Sequence, residues 1–384
     1  MQVGAGVGAF LGGLGDLTWA NALMIGVGAL LITLAITKEY EPMLLIPIGM
    51  GAILANIPGA GMGLDLGAIL SGEQTEGIFY ELYQAGIATE LFPLLLFIGI
   101  GAMIDFGPLL SSPRMLLVGA AGQFGIFAVF LLALATGRFT MDEAASIGII
   151  GAIDGPTSIF VASQLAPQLL APIAVAAYTY MSLVPIIQPP IMRLMTTRQE
   201  RTVHMAYAER PVSRRTRLVF PVLVTLLTGF IAPQASPLIG MLMFGNLMRE
   251  SGVVERLVKS ASNELANITT LLLGVTIGAT MVGSSFANIE TLIILVLGIM
   301  AFALDTAAGV LFGKLLYVAT HRKFNPLVGA AGISAFPMSA RVVQRVCQED
   351  DNTNFLLMHA TGANTAGQIA SVMAGGIMLA LMMG

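Results

Sequence analysis

Long apolar runs constrain this chain more than any other feature of its sequence. Several approach the roughly 20 residues that a helix needs to cross the hydrocarbon core of a bilayer. Examples are Ala20–Ile36, Met115–Thr136, Ala171–Ile191 and Thr291–Phe312. Only 10% of the 384 residues are charged, whereas an average soluble domain has roughly 25%. A water-soluble fold would lack the charge to cover its surface, so the sequence predicts an all-α polytopic membrane protein.

Several functional classes are disfavoured by what the chain lacks. A single cysteine, Cys347, and three scattered histidines give no disulfide framework and no ligand spacing for a transition metal. The sequence has no nucleotide-binding loop and no nucleophile elbow, and no nucleic-acid partner is expected. No lysine or arginine precedes Lys38, so the basic region of a signal peptide is missing. The first apolar segment is therefore expected to stay in the mature protein, which is expected in an inner membrane.

Hydropathy and the positions of glycine and proline predict about ten transmembrane helices. These are expected near 20–36, 43–58, 91–110, 115–136, 169–191, 218–232, 237–249, 268–283, 291–312 and 354–382. Two further apolar stretches, near 144–163 and 326–345, are interrupted by glycine and proline. They are predicted to be broken or re-entrant segments.

A weak internal repeat divides the chain into two halves. Gly151-Ala152 matches Gly329-Ala330, and Asn56 matches Asn246, in the same order along both halves. The expected organisation is an N-terminal segment, a first membrane repeat, a basic linker and a second membrane repeat. Their bounds are 1–19, 20–191, 192–217 and 218–384.

The distribution of positive charge indicates that the two repeats are inverted. The linker carries a group of arginines, so it is expected in the cytoplasm. They are Arg193, Arg198, Arg201, Arg210, Arg214, Arg215 and Arg217. If both broken segments return to the side they came from, every basic residue except Arg138 is cytoplasmic. If both cross fully, Lys38, Arg114, Arg341 and Arg345 lie outside, so the re-entrant arrangement is favoured. Inverted repeats with broken helices are typical of an ion or substrate site near the membrane midplane.

Asp154 is the most informative single residue. It has apolar neighbours, and a carboxylate at that depth is costly unless it is paired, so such residues typically mark ion pathways or proton relays. Gly155 and Pro156 break the helix and free backbone carbonyls for a cation such as Na⁺. The structural alternative is an aspartate that caps the helix starting at Thr157.

The stretch from Asn325 to Pro337 is the symmetric partner of the Asp154 segment. It offers neutral oxygens from Asn325 and Ser334, and carbonyls freed near Gly329 and Pro337. One carboxylate with neutral oxygens suits a monovalent cation, whereas Mg²⁺ or Ca²⁺ normally requires more negative charge. The alternative is that the small residues of this stretch only allow close helix packing.

Three further residues are candidates for the site, and each also has an ordinary structural interpretation. The Tyr180 phenol could pair with Asp154 or relay a proton, but membrane tyrosines often serve as interface anchors. The Arg341 guanidinium could hold a carboxylate, or could be an ordinary arginine at a cytoplasmic helix end. Asn364 is a buried amide in the last span, where it could bind a cation or join helices by hydrogen bonds.

These motifs together resemble the β subunit of sodium-pumping biotin-dependent decarboxylases, from about Tyr40 to the C-terminus. The resemblance is carried by five stretches. They are Gly151-Ala-Ile-Asp-Gly-Pro-Thr, Val184-Pro-Ile-Ile-Gln-Pro-Pro, Phe244-Gly-Asn-Leu, Asn325-Pro-Leu-Val-Gly-Ala-Ala-Gly-Ile-Ser and Met358-His-Ala-Thr-Gly-Ala-Asn. Such subunits serve decarboxylases of oxaloacetate, methylmalonyl-CoA, glutaconyl-CoA or malonate.

The resemblance implies a subunit that decarboxylates carboxybiotin, exports Na⁺ and consumes a proton from outside. By residue matching, Asp154 is expected to bind Na⁺ and exchange protons. Asn325, Gly329, Ser334 and Asn364 are expected in the Na⁺ site. Tyr180 is expected to act as a proton relay, and Arg341 to contact carboxybiotin in catalysis.

The resemblance also implies separate partner chains. They are a biotin carrier protein, a carboxyltransferase α subunit and a small membrane-anchored subunit, with association of this chain with itself. No biotin-accepting Met-Lys-Met stands in this sequence, which agrees with that division. Two alternatives stay open from the residues alone: a Na⁺-coupled secondary transporter of a carboxylate, and a non-catalytic membrane anchor.

Overall fold

The computed structural model describes residues 16–74, 76–205, 212–286 and 288–383. Within these ranges the regular structure is entirely helical, which confirms the all-α prediction for the described residues. Most of the predicted N-terminal segment 1–19, and Arg210 of the linker, lie outside them.

The helices before the linker comprise longer apolar elements and short connecting ones. They are α1 (Trp19–Lys38), α2 (Pro42–Ala55), α3 (Leu66–Leu70), α4 (Ile78–Leu82, continued as a π-helix over Tyr83–Ala88), α5 (Leu91–Met103), α6 (Gly107–Ser111), α7 (Met115–Ala121), α8 (Phe124–Ala135), α9 (Met141–Gly148), α10 (Gly155–Leu165), α11 (Leu170–Ser182) and α12 (Val184–Met195). Short 3-10 helices lie at Ile149–Ala152 and Pro167–Leu169.

The linker and the second half follow a similar order. Their helices are α13 (Arg198–Arg201), α14 (Arg214–Ile231), α15 (Ser236–Ser251), α16 (Glu255–Ser260, continued as a π-helix over Ala261–Leu265), α17 (Ala266–Ala279), α18 (Gly283–Phe286), α19 (Ile289–Ala319), α20 (Met338–Asp350) and α21 (Leu357–Met383). Further 3-10 helices lie at Pro233–Ala235 and Pro326–Gly332.

Four elements among the described residues are long and apolar enough to cross a membrane by themselves. They are α1, the continuous stretch Met115–Ala135 formed by α7 and α8, α19 and α21. Two bent pairs, at Ile78–Met103 and Pro167–Met195, raise the number to six if each pair is one span. Other predicted spans correspond to real but short helices, such as α2 with 14 residues. By length and composition alone, the described residues therefore contain four to six candidate spans, and the number of about ten stays a prediction.

Both predicted interruptions are present. The first separates α9 from α10: a 3-10 turn ends at Ile153, which has a left-handed backbone with φ of 51°, and Asp154 is extended. Pro156 then lies in the first turn of α10, where its fixed φ is compatible with a helix and its missing N–H is not needed. The second consists of the 3-10 helix Pro326–Gly332, an extended Ile333 and the start of α20 at Met338.

Two helix pairs connect the halves through backbone contact at glycine. α2 packs on α17, where a Cβ on Gly51 would lie 2.3 Å from Val275 O. α15 packs on α5, where a Cβ on Gly101 would lie 1.9 Å from Leu242 O. Small residues let membrane helices approach this closely.

The matched residues Asn56 and Asn246 make equivalent contacts across these pairs. The Asn56 amide donates to Met281 O at 2.8 Å, just beyond α17, and the Asn246 amide donates to Ile104 O at 3.1 Å, just beyond α5.

Candidate ion-binding site

The first broken segment holds the Asp154 carboxylate inside the protein, where its residue is 4% exposed. Its Oδ2 accepts a 2.6 Å hydrogen bond from Thr157 Oγ1, and the Ser371 hydroxyl of α21 lies 3.2 Å from the same oxygen. Its Oδ1 accepts a longer bond, 3.4 Å, from Thr157 N–H at the start of α10. Asp154 therefore caps α10, which is the structural role considered above for this residue. Its carboxylate also contacts Ser371 of α21. No lysine, arginine or histidine among the described residues forms an ion pair with it.

The two broken segments meet directly. The Ser334 N–H donates to Ala152 O across the halves, with an N–O distance of 3.3 Å. The Ser334 hydroxyl donates to Gly367 O of α21 at 3.2 Å. α21 thus runs beside both segments and brings Ser334 and Asp154 to the same part of the core.

Three side-chain amides hold three consecutive carbonyls of the second segment. Gln123 Nε2 donates to Gly332 O at 3.1 Å, and Asn364 Nδ2 donates to Ile333 O at 2.6 Å. Gln368 Nε2 donates to Ser334 O. We call Gln123, Asn364 and Gln368 the amide triad. Asn364, Gln368 and Ser371 share one face of α21 because their spacing is four and three residues.

The oxygens of the amide triad are buried and make no hydrogen bond with the described residues. Their orientation follows from chemistry: a backbone carbonyl only accepts, so the amide nitrogen must face it and the amide oxygen is left over. A buried acceptor without a partner costs free energy unless something binds it. Neutral oxygens beside one carboxylate are a ligand set suited to a monovalent cation.

Of the residues predicted for the site, Asp154, Ser334 and Asn364 lie around the meeting point of the two segments. Asn325 does not join them. Its amide donates to the linker carbonyls Arg201 O and Val203 O, at 2.8 and 2.9 Å, and its Oδ1 accepts from Leu327 N–H at 3.0 Å. It caps the 3-10 helix and holds the linker.

Gly329 contacts α19 rather than the Asp154 segment. A Cβ on Gly329 would lie 1.9 Å from Gly309 O, so the two backbones touch there. This is the close packing that small residues permit. Arg341 is exposed on α20 and forms no ion pair among the described residues.

Tyr180 is buried, but its hydroxyl donates to Leu295 O of α19 at 2.5 Å. The pairing with Asp154 that the sequence allowed is therefore absent from this structure. Two residues earlier, Tyr178 faces the first broken segment: a Cβ on Gly155 would lie 2.0 Å from the Tyr178 ring. The Tyr178 hydroxyl is buried and has no hydrogen-bond partner among the described residues.

Sequence reasoning missed Tyr178, Ser371, two members of the amide triad and a second buried carboxylate, Asp305. The Asp305 side chain accepts the Gly125 N–H at the start of α8, and its Oδ2 has no hydrogen-bond partner among the described residues. A Cβ on Gly151 would lie 2.7 Å from that oxygen. The available signal was an acid in the middle of an apolar span, which by itself indicates function.

One family of known proteins matches nearly the whole chain. The sequence profile of the family described as Na⁺-transporting oxaloacetate decarboxylase beta subunit matches residues 20–382.

Individual relatives cover nearly the whole chain. The methylmalonyl-CoA decarboxylase subunit beta of Propionigenium modestum is 51% identical over 379 residues, which is 95% of each chain. The glutaconyl-CoA decarboxylase subunit beta of Acidaminococcus fermentans is 50% identical over 96% of this chain and 94% of its own length. The oxaloacetate decarboxylase beta chain of Klebsiella pneumoniae is 47% identical over 96% of each chain. The chain therefore belongs to the family of beta subunits of Na⁺-transporting decarboxylases.

Proposed function

We propose that this chain decarboxylates the carboxybiotin of a partner biotin carrier and couples that step to Na⁺ export with uptake of a proton. Membership of a β-subunit family makes it a membrane component of a multi-subunit, Na⁺-transporting decarboxylase. The relatives act on different acids according to their names, so the acid is expected to depend on another subunit of the complex.

The proposal is carried by the buried Asp154 carboxylate, which contacts Ser371 of α21, and by the amide triad, whose oxygens have no hydrogen-bond partner among the described residues. Na⁺ is the cargo of this site: a single carboxylate balances its charge, and neutral oxygens complete its shell. The contact between Ser334 N–H and Ala152 O supports a site made jointly by both broken segments. Asn325 and Gly329 contact the linker and α19 in this structure, and their part in the Na⁺ site stays a prediction of the family resemblance.

Decarboxylation supplies the driving reaction. The bond between the carboxyl carbon and the ureido nitrogen of carboxybiotin breaks, CO₂ leaves, and the nitrogen takes up one proton. A buried carboxylate cannot easily hold a proton and Na⁺ together, so Na⁺ entering the site displaces the proton from Asp154. The exchange then has a direction, with Na⁺ leaving the cell and the proton consumed. Tyr180 as a relay and Arg341 as a carboxybiotin contact stay predictions of the family resemblance.

The proposed architecture is a pair of inverted repeats, 20–191 and 218–384, joined by the cytoplasmic linker 192–217. The equivalent contacts of Asn56 and Asn246 support it. So do the two helix pairs that join the halves, α2 with α17 and α5 with α15. In this arrangement the Asp154 segment enters from the outer face and the Asn325 segment from the cytoplasm. The proposed setting is the inner membrane of a prokaryote.

The proposed partners are a biotin carrier protein, a carboxyltransferase α subunit and a small membrane-anchored subunit, with self-association of this chain. Reconstitution in vesicles tests the function. Carboxylated biotin carrier should release CO₂ only when Na⁺ is present, and ²²Na⁺ should move in the same experiment. A secondary transporter would instead move a carboxylate without any biotin protein, and that result would refute the proposal.

A further inference from the structure

A basic cavity of about 190 Å³ lies where α7, α19, α21 and the linker come together. Its polar and aromatic lining includes Ser112, Arg114, Thr320, Lys323, Phe324 and His359. This volume is below the roughly 300 to 1,000 Å³ of a drug-sized site, so a compact head group fits better than a whole cofactor.

The charges of this basic cavity are not neutralised within the described chain. Neither the Arg114 guanidinium nor the Lys323 ammonium forms an ion pair with a described residue, and no acidic residue is part of the lining. Most other basic residues near the linker are paired, for example Arg201 with Asp350 and Lys314 with Glu200. The basic cavity therefore has the charge to receive an anion.

Its position connects the linker side of the protein with the ion site. Met205 of the linker and Met115 of α7 both border it. His359 and Asn364 are five residues apart on α21, which corresponds to roughly 8 Å along a helix. On α7, one turn beyond Met115, Gly119 packs directly against Ala366 of α21. Along the axis of α21, an anion beside His359 would thus lie about one and a half helical turns from Asn364 of the amide triad.

We propose that the basic cavity is a docking subsite, separate from the predicted Arg341 contact, for the N-carboxylated ureido ring that the biotin carrier presents. This inference rests on the proposed function. Arg114 can bind the carboxylate through two parallel hydrogen bonds, and Lys323 adds a second positive charge. The Ser112 and Thr320 hydroxyls can donate to the ureido carbonyl, and Phe324 offers an apolar face to the ring. Binding at this depth brings the carboxyl group toward the ion site.

The test uses the complete complex in vesicles, with the double variant Arg114→Gln, Lys323→Gln. We expect the KM for carboxylated carrier to rise about tenfold or more, because two charge-assisted contacts are lost. The kcat and the half-saturating Na⁺ concentration should stay within about twofold, since the ion site is untouched. The swap Arg114→Lys, Lys323→Arg should recover most of the KM, which a purely structural defect would not predict.

Arg322→Gln is the matched control, because Arg322 neighbours Lys323 and does not line the basic cavity. An unchanged KM in the double variant, or an equal rise in the control, would overturn the proposal. Vesicles of phosphatidylcholine alone and vesicles with added anionic lipid separate two sources of anion. A defect seen only with anionic lipid would assign the cavity to a lipid phosphate instead. If the unmodified complex shows no Na⁺-dependent CO₂ release, the proposed function itself fails.

Discussion

Asp154 combines two roles that a single substitution can separate. It caps α10 through Thr157, and it presents the carboxylate of the candidate ion site. Asparagine is as good a helix cap as aspartate, but it carries no charge and cannot exchange a proton.

We therefore expect Asp154→Asn to keep the fold and to abolish both Na⁺ transport and CO₂ release, with a loss of at least about 100-fold. Reconstituted transport and decarboxylation assays measure both. Asp142→Asn, an exposed change in the first turn of α9, serves as the control for charge loss. Retention of both activities by Asp154→Asn would show that its role is capping alone.

Asn364 provides a test of the amide triad. Asn364→Leu removes one neutral oxygen and the bond to Ile333 O, so we expect the half-saturating Na⁺ concentration to rise about tenfold, or 1.4 kcal/mol. The neighbouring Thr365→Val is the control, because among the described residues the Thr365 hydroxyl donates within its own helix, to Gly362 O. An equal rise in both variants would argue against cation binding by the triad.

Tyr178 and Tyr180 invite a direct comparison. We expect Tyr178→Phe to lower turnover, since its ring contacts the Asp154 segment and its hydroxyl has no hydrogen-bond partner among the described residues. Tyr180→Phe removes the bond to Leu295 O and is expected to lower the free energy of unfolding by about 1 kcal/mol. Steady-state turnover and thermal melting in detergent distinguish the two effects. Lost turnover in Tyr180→Phe alone would support the relay role predicted from the resemblance.

These residues also show what sequence could and could not supply. Asp154 stood out because it is an acid next to glycine and proline, so both its chemistry and its broken helix were readable. The choice between Tyr178 and Tyr180 could not be made from the sequence. Residues two positions apart on a helix point about 200° apart, and only packing sets which of them faces the site. Gln123 and Gln368 were missed because their partners are carbonyls far away in the chain.

At the scale of elements, the second broken segment is held by backbone contact as well as by amides. Glycine at position 329 lets the segment touch Gly309 of α19. We expect Gly329→Ala to destabilise the protein by about 1 to 3 kcal/mol, because its Cβ would overlap Gly309 O.

Thermal melting in detergent measures this loss, together with the half-saturating Na⁺ concentration. Gly26→Ala is the control, since a Cβ there meets no atom within 4 Å. If Gly329→Ala melted like the control but bound Na⁺ poorly, position 329 would belong to the Na⁺ site, as the resemblance implies.

The helix breaks were readable from glycine and proline, whereas the lengths of the helices were not. Hydropathy predicts a crossing at each of α2, α15 and α17, and the structure makes them helices of 14, 16 and 14 residues that pack on helices of the other half. Their lengths depend on tertiary contacts at glycine, and such contacts between distant segments leave only faint matches in the sequence.

At the scale of the whole molecule, an ionic clamp fixes the linker to α20. Arg201 Nε donates to Asp350 Oδ2 at 2.5 Å, and Arg201 Nη1 donates to Thr196 O at 2.6 Å. The Arg201 side chain is only 13% exposed, whereas Arg198, which lies 3.7 Å from the same aspartate, is 77% exposed.

We expect Arg201→Gln to lower the stability of the clamp by roughly 1.5 to 3 kcal/mol, the usual range for hydrogen bonds to charged groups. Hydrogen exchange of the α13 amides should become faster by more than tenfold. Arg198→Gln removes an exposed pair and should change exchange little. Equal effects of the two substitutions would mean that the clamp depends on net charge rather than on the buried contact.

The Lys314–Glu200 pair extends the clamp and should persist at neutral pH. Burial raises the pKa of Glu200, but hydrogen bonds from Thr197 and Lys314 outweigh it and leave the pKa below its ordinary 4.5. Its contribution is therefore complete above that value and is lost only as the pH falls through the lowered pKa. The protection that this pair gives the α13 amides against hydrogen exchange is therefore expected to stay constant between about pH 6 and 8.

The amide triad has a mechanical consequence. A cation that binds an amide oxygen draws electron density from the nitrogen of the same group, which makes the N–H a stronger donor. Na⁺ binding would then strengthen the hydrogen bonds that Gln123, Asn364 and Gln368 donate to the three carbonyls, and Na⁺ release would weaken them. The unwound segment from Gly332 to Ser334 would become more rigid when Na⁺ binds and more flexible when Na⁺ leaves. The transported ion would thus control the rigidity of its own binding segment in each turnover.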